Sequence, residues 1–470
     1  MSAAAAERRI LLATLLATGS IFIDISIVNV VLPDLRRDLG TTLAEEQWIV
    51  NAYLVTMTAF VLPSGVLGDV HGHRRLLRAG LALFAIATLL VGLAPTPLFE
   101  IAARALQGVA AALMTPASVA ILRTAIAPER QARAVGVWAT GTSISAALGP
   151  VVGGVVGGAL GWRWAFLVVL PAVVAAFWFA RAVPDSEPLA RRTDMVGGAL
   201  AALAIAGVVA GLIEWPSRGL ADPLVLALLA GGVALGAAFA WHERRFPDPM
   251  LPVRAVRDRA LNRVHVFTIL AWSTPITAML LISIRLQTAG GLGPTATGFA
   301  LLPMSLVIAL LSKRLTERAA QGRMLLYLRA GPLVTAVGTL AALAIAPGRL
   351  WVAIVATLLM GLGMALLAGP VTHAVLQLSP HGDEGMQSAI NLAAARFGTL
   401  LAVALIGIAA TIGWGLAGGG AAPPNPLEAL GAPADGAYRA ALVMTALFAL
   451  AAVPFATAAT RRAAAAPATG

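Results

Sequence analysis

The chain has 470 residues, 59% of them hydrophobic and 12% charged, with a mean hydropathy of +0.86, which is more apolar surface than one soluble core can hide. It has no cysteine, which excludes disulfides, thiolate zinc sites and iron–sulfur clusters. The formal charge of +11 would suit a polyanionic partner, but the single lysine, Lys313, is followed by Arg314, so the phosphate loop of a nucleotide-driven pump is absent.

At the N-terminus, Glu7-Arg8-Arg9 and the apolar run from Ile10 look like a signal peptide, yet the run passes Asp24 and reaches Leu32 without a convincing cleavage site. It is therefore expected to be the first spanning helix. Further runs long enough to cross a hydrocarbon layer of about 30 Å fall at 48–67, 76–95, 98–121, 134–157, 164–182, 196–214, 223–241, 262–284, 296–311, 327–346, 350–372, 388–412 and 437–458. With the first at 10–32, they predict an all-α integral membrane protein of fourteen spans, with both termini on one side. Placing the N-terminus in the cytoplasm puts 24 of the 33 lysines and arginines in cytoplasmic segments and seven outside, with Arg104 and Arg396 inside spans. The asymmetry orients the chain in the cytoplasmic (inner) membrane with both termini inside. It explains the basic balance as a topological signal and speaks against a nucleic-acid partner.

The cytoplasmic stretch around His242-Glu243-Arg244-Arg245-Phe246-Pro247-Asp248-Pro249 is rich in proline and charge, as a linker is. A long outer loop near 413–436 contains Gly418-Gly419-Gly420 and Pro423-Pro424 and carries no visible chemistry. A faint repeat relates Gly72-His73-Arg74-Arg75-Leu76-Leu77-Arg78-Ala79-Gly80 to Gly322-Arg323-Met324-Leu325-Leu326-Tyr327-Leu328-Arg329-Ala330-Gly331. Spans 1–6 then correspond to spans 9–14. The expected division is a six-helix bundle over 1–183, an inserted helix pair over 184–242, a linker over 243–261 and a second six-helix bundle over 262–470.

The loop after the second span reads Gly65-Val66-Leu67-Gly68-Asp69-Val70-His71-Gly72-His73-Arg74-Arg75. Its glycines allow close approach and positive φ, and an aspartate at a helix start suits the positive end of the dipole. The passage resembles motif A of the major facilitator superfamily, Gly-x-Leu-Ala-Asp-Arg-x-Gly-Arg-Lys, departing from it at Gly68 and at Val70, where the family has a cation. The resemblance implies the major facilitator fold. It also implies a cytoplasmic latch built on Gly65, Asp69, Gly72, Arg74 and Arg75, without one of its usual charges; the plain alternative is a short loop anchored by arginines.

The fourth span carries Arg104-Ala105-Leu106-Gln107-Gly108 and Pro116 and is similar to the superfamily's motif B. A central arginine costs roughly 2.5–3.5 kcal/mol on insertion scales and needs an acceptor in the bundle interior. Asp24, the only carboxylate deep in a predicted span, lies about 13 Å below the outer surface and Arg104 about 9 Å at 1.5 Å per residue. Burial favours the protonated acid and the arginine favours the carboxylate, so separating Asp24 from Arg104 could move a proton. The alternatives are a static pair, or Arg104 held by Glu100 one turn earlier.

Gly141, Gly149-Pro150 and Gly153-Gly154 in the fifth span resemble motif C of the antiporters, which points to export. A small-residue packing helix would show the same pattern. The passages from Asp24 to Pro33, from Trp48 to Tyr53 and from Trp162 to Phe166 extend the resemblance to the fourteen-helix drug:proton antiporter branch. In the second half, Leu286-Gln287-Thr288, Leu301-Leu302-Pro303 and Arg396-Phe397-Gly398 continue it.

Arg396 has no intramembrane acid in its own half and is expected either to meet a polar or anionic substrate group or to donate to backbone carbonyls. Residues 296–311 lack the carboxylate that some multidrug relatives use for cationic drugs. Asn29, Asn51, Tyr53, Gln107, Trp272 and Asn391 are candidates to line an apolar cavity, or to pack helices. His71 and His73 have a metal-like spacing, but no further ligands cluster there and they are expected to be solvated. No cofactor, metal or enzymatic activity is expected. The expected function is proton-driven export of small amphipathic compounds, such as drugs or secondary metabolites, by a monomer among membrane lipids working by alternating access. Uptake by symport and a non-transporting sensor of the same fold are the alternatives.

Overall fold

The computed structural model describes residues 3–184, 194–247, 258–346, 348–379, 384–418 and 436–459. Among them the chain is all helical. In chain order the α-helices are α1 (Ala3–Leu39), α2 (Leu43–His71), α3 (His73–Gly92), α4 (Pro97–Thr124), α5 (Pro128–Leu160), α6 (Trp162–Leu167), α7 (Leu170–Phe179), α8 (Met195–Arg218) and α9 (Pro223–Glu243). Then follow α10 (Arg259–Trp272), α11 (Pro275–Thr288), α12 (Pro294–Arg318), α13 (Met324–Ala341), α14 (Leu350–Leu378), α15 (Glu384–Leu416) and α16 (Gly436–Ala452). Twelve helical segments among the described residues are long and apolar enough to cross a membrane. α2 and α5, of 29 and 33 residues, are not among those twelve.

Local chemistry sets the helix boundaries. Thr42 and Glu45 form a reciprocal capping box at the start of α2, and Thr96 caps α4 with Pro97 in the first turn. Asp222 caps α9 in the same way, again ahead of a proline. Two expected continuous spans are divided. The run over 164–182 breaks between α6 and α7, just before Pro171, and the run over 262–284 breaks between α10 and α11, just before Pro275. A proline lacks the amide donor and crowds the preceding turn, so it is tolerated best as the start of a new helix.

The chain forms two compact units, one of residues 1–250 with 293–299 and one of residues 251–292 with 300–470. In the first, α4 packs on α2 and α3, α1 packs on α5, and the α8–α9 hairpin rests on α2 through α8. The hairpin is close: a Cβ at Gly207 would lie 3.1 Å from the Cα of Gly232. In the second, α13 packs on α14 and α16, while α15 packs on α10 and α16. The two copies of the sequence repeat both begin at a glycine of positive φ, Gly72 at +92° between α2 and α3 and Gly322 at +94° before α13. Each is followed by a glycine that lets helices touch, Gly80 against the carbonyl of Ala110 and Gly331 against that of Gly363. Residues 248–257 of the expected linker and 419–435 of the expected outer loop lie outside the described residues.

Candidate functional site

The interior of the first unit holds the charges that the sequence singled out. Arg104 on α4 is 1% exposed and Asp24 on α1 is fully buried. Arg104 Nη1 donates to Asp24 Oδ2 at 2.5 Å and to Gln107 Oε1 at 2.8 Å, and its Nε donates to the Ile49 carbonyl of α2 at 3.3 Å. Gln107 Nε2 donates to Asp24 Oδ1 at 3.3 Å and to Thr88 Oγ1 of α3 at 2.9 Å. The guanidinium also stands 4.6 Å from the ring centre of Tyr53 on α2 and 5.4 Å from that of Phe166 on α6. Five helices thus converge on one ion pair.

The arrangement suits an interior site. A lone buried charge is costly, whereas a pair whose remaining donors and lone pairs are satisfied, with aromatic faces over the cation, is tolerated. It also makes Arg104 the element that would have to move if Asp24 were protonated. Glu100, the other possible partner, is fully buried one turn before Arg104, yet neither of its carboxylate oxygens has a hydrogen bond. Deep burial of acid is therefore not confined to Asp24, as the sequence suggested. Thr88 and Phe166 were not anticipated either. A threonine and a phenylalanine on apolar helices read as ordinary packing residues, and only the tertiary fold brings them to the arginine.

The motif C glycines seat α5 against the helix that carries Asp24. A Cβ at Gly149 would collide with the Ser26 side chain and lie 2.9 Å from the Ile23 carbonyl, and one at Gly153 would lie 3.2 Å from the Cα of Ile27. Gly141 meets the side chain of Leu15, and Gly154 meets the backbone at Pro294 and Thr295. Pro150 lies inside α5. Ile23, Ser26 and Ile27 flank Asp24, so the seam of small residues and the ion pair share one stretch of α1.

At the latch sequence, Gly72 ends α2 and begins α3, its amide donating to the Gly68 carbonyl at 2.9 Å. Arg74 is half-buried and Arg75 exposed, while a Cβ at Gly65 would meet nothing within 4 Å among the described residues. The side chain of Asp69 lies outside the described residues. His71 is exposed, with Nδ1 3.2 Å from the Leu67 carbonyl, and His73 is half-buried.

The expected cavity residues divide. Tyr53 and Gln107 belong to the ion-pair cluster. Asn29 and Asn51 are buried, with the Asn29 Oδ1 and both polar side-chain atoms of Asn51 unbonded. In the second unit, Asn391 Oδ1 accepts from Thr268 Oγ1 at 2.7 Å, and the carbonyl of the half-buried Trp272 accepts from Thr399 Oγ1 at 3.1 Å. Two further contacts continue this α10–α15 ladder: His265 Nε2 with Gln387 Oε1 at 3.1 Å, and Ser273 Oγ donating to the Gly398 carbonyl at 2.9 Å. Arg396 is buried on α15, and Arg285 on α11 is buried with its guanidinium 5.0 Å from the Tyr438 ring centre.

A helical membrane chain with a compensated ion pair shared among five helices has the architecture of a secondary transporter. The chain belongs to the major facilitator superfamily, whose family model matches residues 14–401. It is 32% identical over 400 residues to the puromycin resistance protein pur8 of Streptomyces alboniger, covering 83% of this chain and 79% of that protein. It is also 31% identical to the multidrug resistance protein Stp of Mycobacterium tuberculosis (strain ATCC 25618 / H37Rv), covering 84% of this chain and 75% of that one. The tetracenomycin C resistance and export protein of Streptomyces glaucescens is 28% identical, with 85% and 75% covered. In fold the chain is similar to a bacterial homologue of the human lysosomal transporter Spinster, with a TM-score of 0.67, 15% identity and 97% of each chain covered.

Proposed function

We propose that the protein exports small organic compounds of the antibiotic type from the cell, driven by inward proton flow through Asp24. The single observation that carries the proton step is the buried pair of Asp24 and Arg104, in which one carboxylate balances one guanidinium that has other acceptors within reach. Protonating Asp24 would release Arg104 to the Ile49 carbonyl and Gln107, and the resulting shift of α4 against α1 would be a conformational signal. The drug-resistance relatives support export of small drug-like cargo.

In this reading α2 and α5 also span the membrane, giving fourteen spans, and both termini lie in the cytoplasm, as the arginine distribution favours. Helices 1–7 form one six-span bundle, α8 and α9 the inserted pair, and α10–α16 the second bundle. Asp69 with Gly72, Arg74 and Arg75 acts as the cytoplasmic latch. Asn29 and Asn51, whose buried amides have unbonded atoms, and Arg396 face the cargo.

An efflux screen in a hypersensitive host, with puromycin, tetracenomycin C and methylenomycin A in the panel, is expected to show resistance to at least one compound. That compound, in proteoliposomes, should be driven uphill by an imposed pH gradient with the wild-type protein, and only down its gradient with Asp24→Asn. Uphill movement by folded Asp24→Asn would remove Asp24 from the coupling.

A further inference from the structure

We propose that Glu100 is a second proton-carrying carboxyl, and that Arg104 exchanges between Asp24 and Glu100 as a proton passes from one acid to the other. This deepens the proton-coupling reading above and rests on it. Three observations lead to it. Glu100 is fully buried, both of its oxygens are without a hydrogen-bond partner, and it lies one turn before Arg104 on the same helix. The charged groups that act on it are Arg104 of its own helix, Asp24 of α1 and Arg163 of α6.

Charge balance then assigns the proton. The fully buried set contains two carboxyls and one guanidinium. Arg163 does not neutralise the second acid, because it is half-exposed and engaged with Asp38 and, at 3.0 Å, with the Ala94 carbonyl. Asp24 accepts bonds at both oxygens and is the ionised partner of Arg104. Glu100 accepts none, and a buried carboxylate without donors is far less stable than the neutral acid.

The step is balanced. The proton leaves a carboxyl oxygen of Glu100 and binds a carboxylate oxygen of Asp24. Glu100 is left as a carboxylate and accepts the Arg104 guanidinium, which Asp24 no longer holds. The set is neutral before and after, so no uncompensated charge is buried at either end of the exchange. The i, i+4 spacing puts Glu100 within reach of Arg104, and its place in the first turn of α4 lets the helix dipole stabilise the carboxylate once formed. The alternative partner that the sequence offered for Arg104 thus becomes the second position of the same arginine.

The test needs no substrate. Infrared spectra of the purified full-length protein in lipid, at neutral pH, are compared for wild type, Glu100→Gln, Glu100→Asp and Asp24→Asn, each checked for folding by thermal melting. Wild type is expected to show the carbonyl stretch of a protonated carboxyl. Glu100→Gln is expected to lose one carboxyl's share of that band, and Glu100→Asp to keep it at a shifted frequency. Asp24→Asn frees Arg104 for Glu100, and is expected to lose the same share because Glu100 ionises. A band unchanged by both Glu100 substitutions would overturn the assignment, and one that persists in Asp24→Asn would overturn the exchange. Spectra that fail while pH-driven efflux stands remove only Glu100. Spectra as expected with no pH-driven efflux in wild type remove the transport role and keep the proton site.

Discussion

The two units handle buried polarity in different ways. The first concentrates it: Asp24, Arg104, Gln107 and Thr88 from three helices form one charged knot with Tyr53 and Phe166 over the cation. The second spreads it along one helix pair, where His265, Thr268, Trp272 and Ser273 of α10 and its end meet Gln387, Asn391, Thr399 and Gly398 of α15 in a ladder of hydrogen bonds without an ion pair. A knot that includes titratable groups can change state with a proton. A ladder with no carboxyl and no ion pair among its bonds, and His265 as its one titratable member, fixes the register of two helices beside the buried Arg396. In the proposed reading the first unit carries the proton coupling, and the second supplies scaffold and cargo contact.

The largest expected effect comes from breaking the knot. Arg104→Met leaves Asp24 without its cation, and removal of one partner of a buried pair costs about 3–5 kcal/mol. The variant is expected to melt well below wild type in detergent, and the double variant Asp24→Asn with Arg104→Met to recover most of the loss. A double variant as unstable as Arg104→Met alone would mean that packing of the arginine stem, not charge balance, holds the five helices together.

Much of this was legible in the sequence, and the reason is physical. Charges inside apolar runs are costly enough that Asp24 and Arg104 announce each other, and helical rise alone placed them at similar depth. What could not be read was the choice among partners. Arg104 had Glu100 on its own helix and Asp24 on another, and only the packing of α1 against α4 decides between them. Thr88 and Phe166 carry no sequence signal that separates them from core residues. The family was legible from the motif A, B and C resemblances, whereas the break at Pro171 was not, because a proline inside an apolar run can as well sit in a continuous helix, as Pro116 does.

The seam between α1 and α5 offers the next test. Gly149→Leu puts a branched side chain where a Cβ alone would meet Ser26 and the Ile23 carbonyl, and overpacking of this kind costs about 1–3 kcal/mol. Gly398→Leu does the same on the α10–α15 seam, where a Cβ would lie 2.9 Å from the Cα of Ile269. Both are expected to lower thermal stability by similar amounts. Only Gly149→Leu should also disturb proton-driven transport, because its seam flanks Asp24. Equal loss of coupling in both would erase the division of labour between the units.

The repeat provides a finer comparison. Gly72 (φ +92°, ψ +130°) occupies a region open only to glycine, whereas Gly322 (φ +94°, ψ +2°) is close to the left-handed helical region that asparagine tolerates. Alanine at either position is expected to cost about 1–3 kcal/mol. Asparagine should restore part of the loss at 322 and little at 72, as read by melting temperature. Equal behaviour would mean that the two junctions relax to one geometry.

The smallest effect is expected on the ladder, and it decides how Asn391 is used. Thr268→Val removes the hydroxyl that donates to Asn391 Oδ1 and keeps the shape of the side chain, so one buried bond is lost at a cost of about 0.5–1.5 kcal/mol. If Asn391 is a packing residue, cargo selectivity and the pH dependence of efflux stay as in wild type while the melting temperature falls slightly. If its amide instead serves the cargo, the freed oxygen gains an acceptor site facing the compound, and selectivity shifts toward molecules with a hydroxyl or amide donor. A selectivity shift would move Asn391 out of the scaffold and beside Arg396, extending the cargo surface onto the ladder itself.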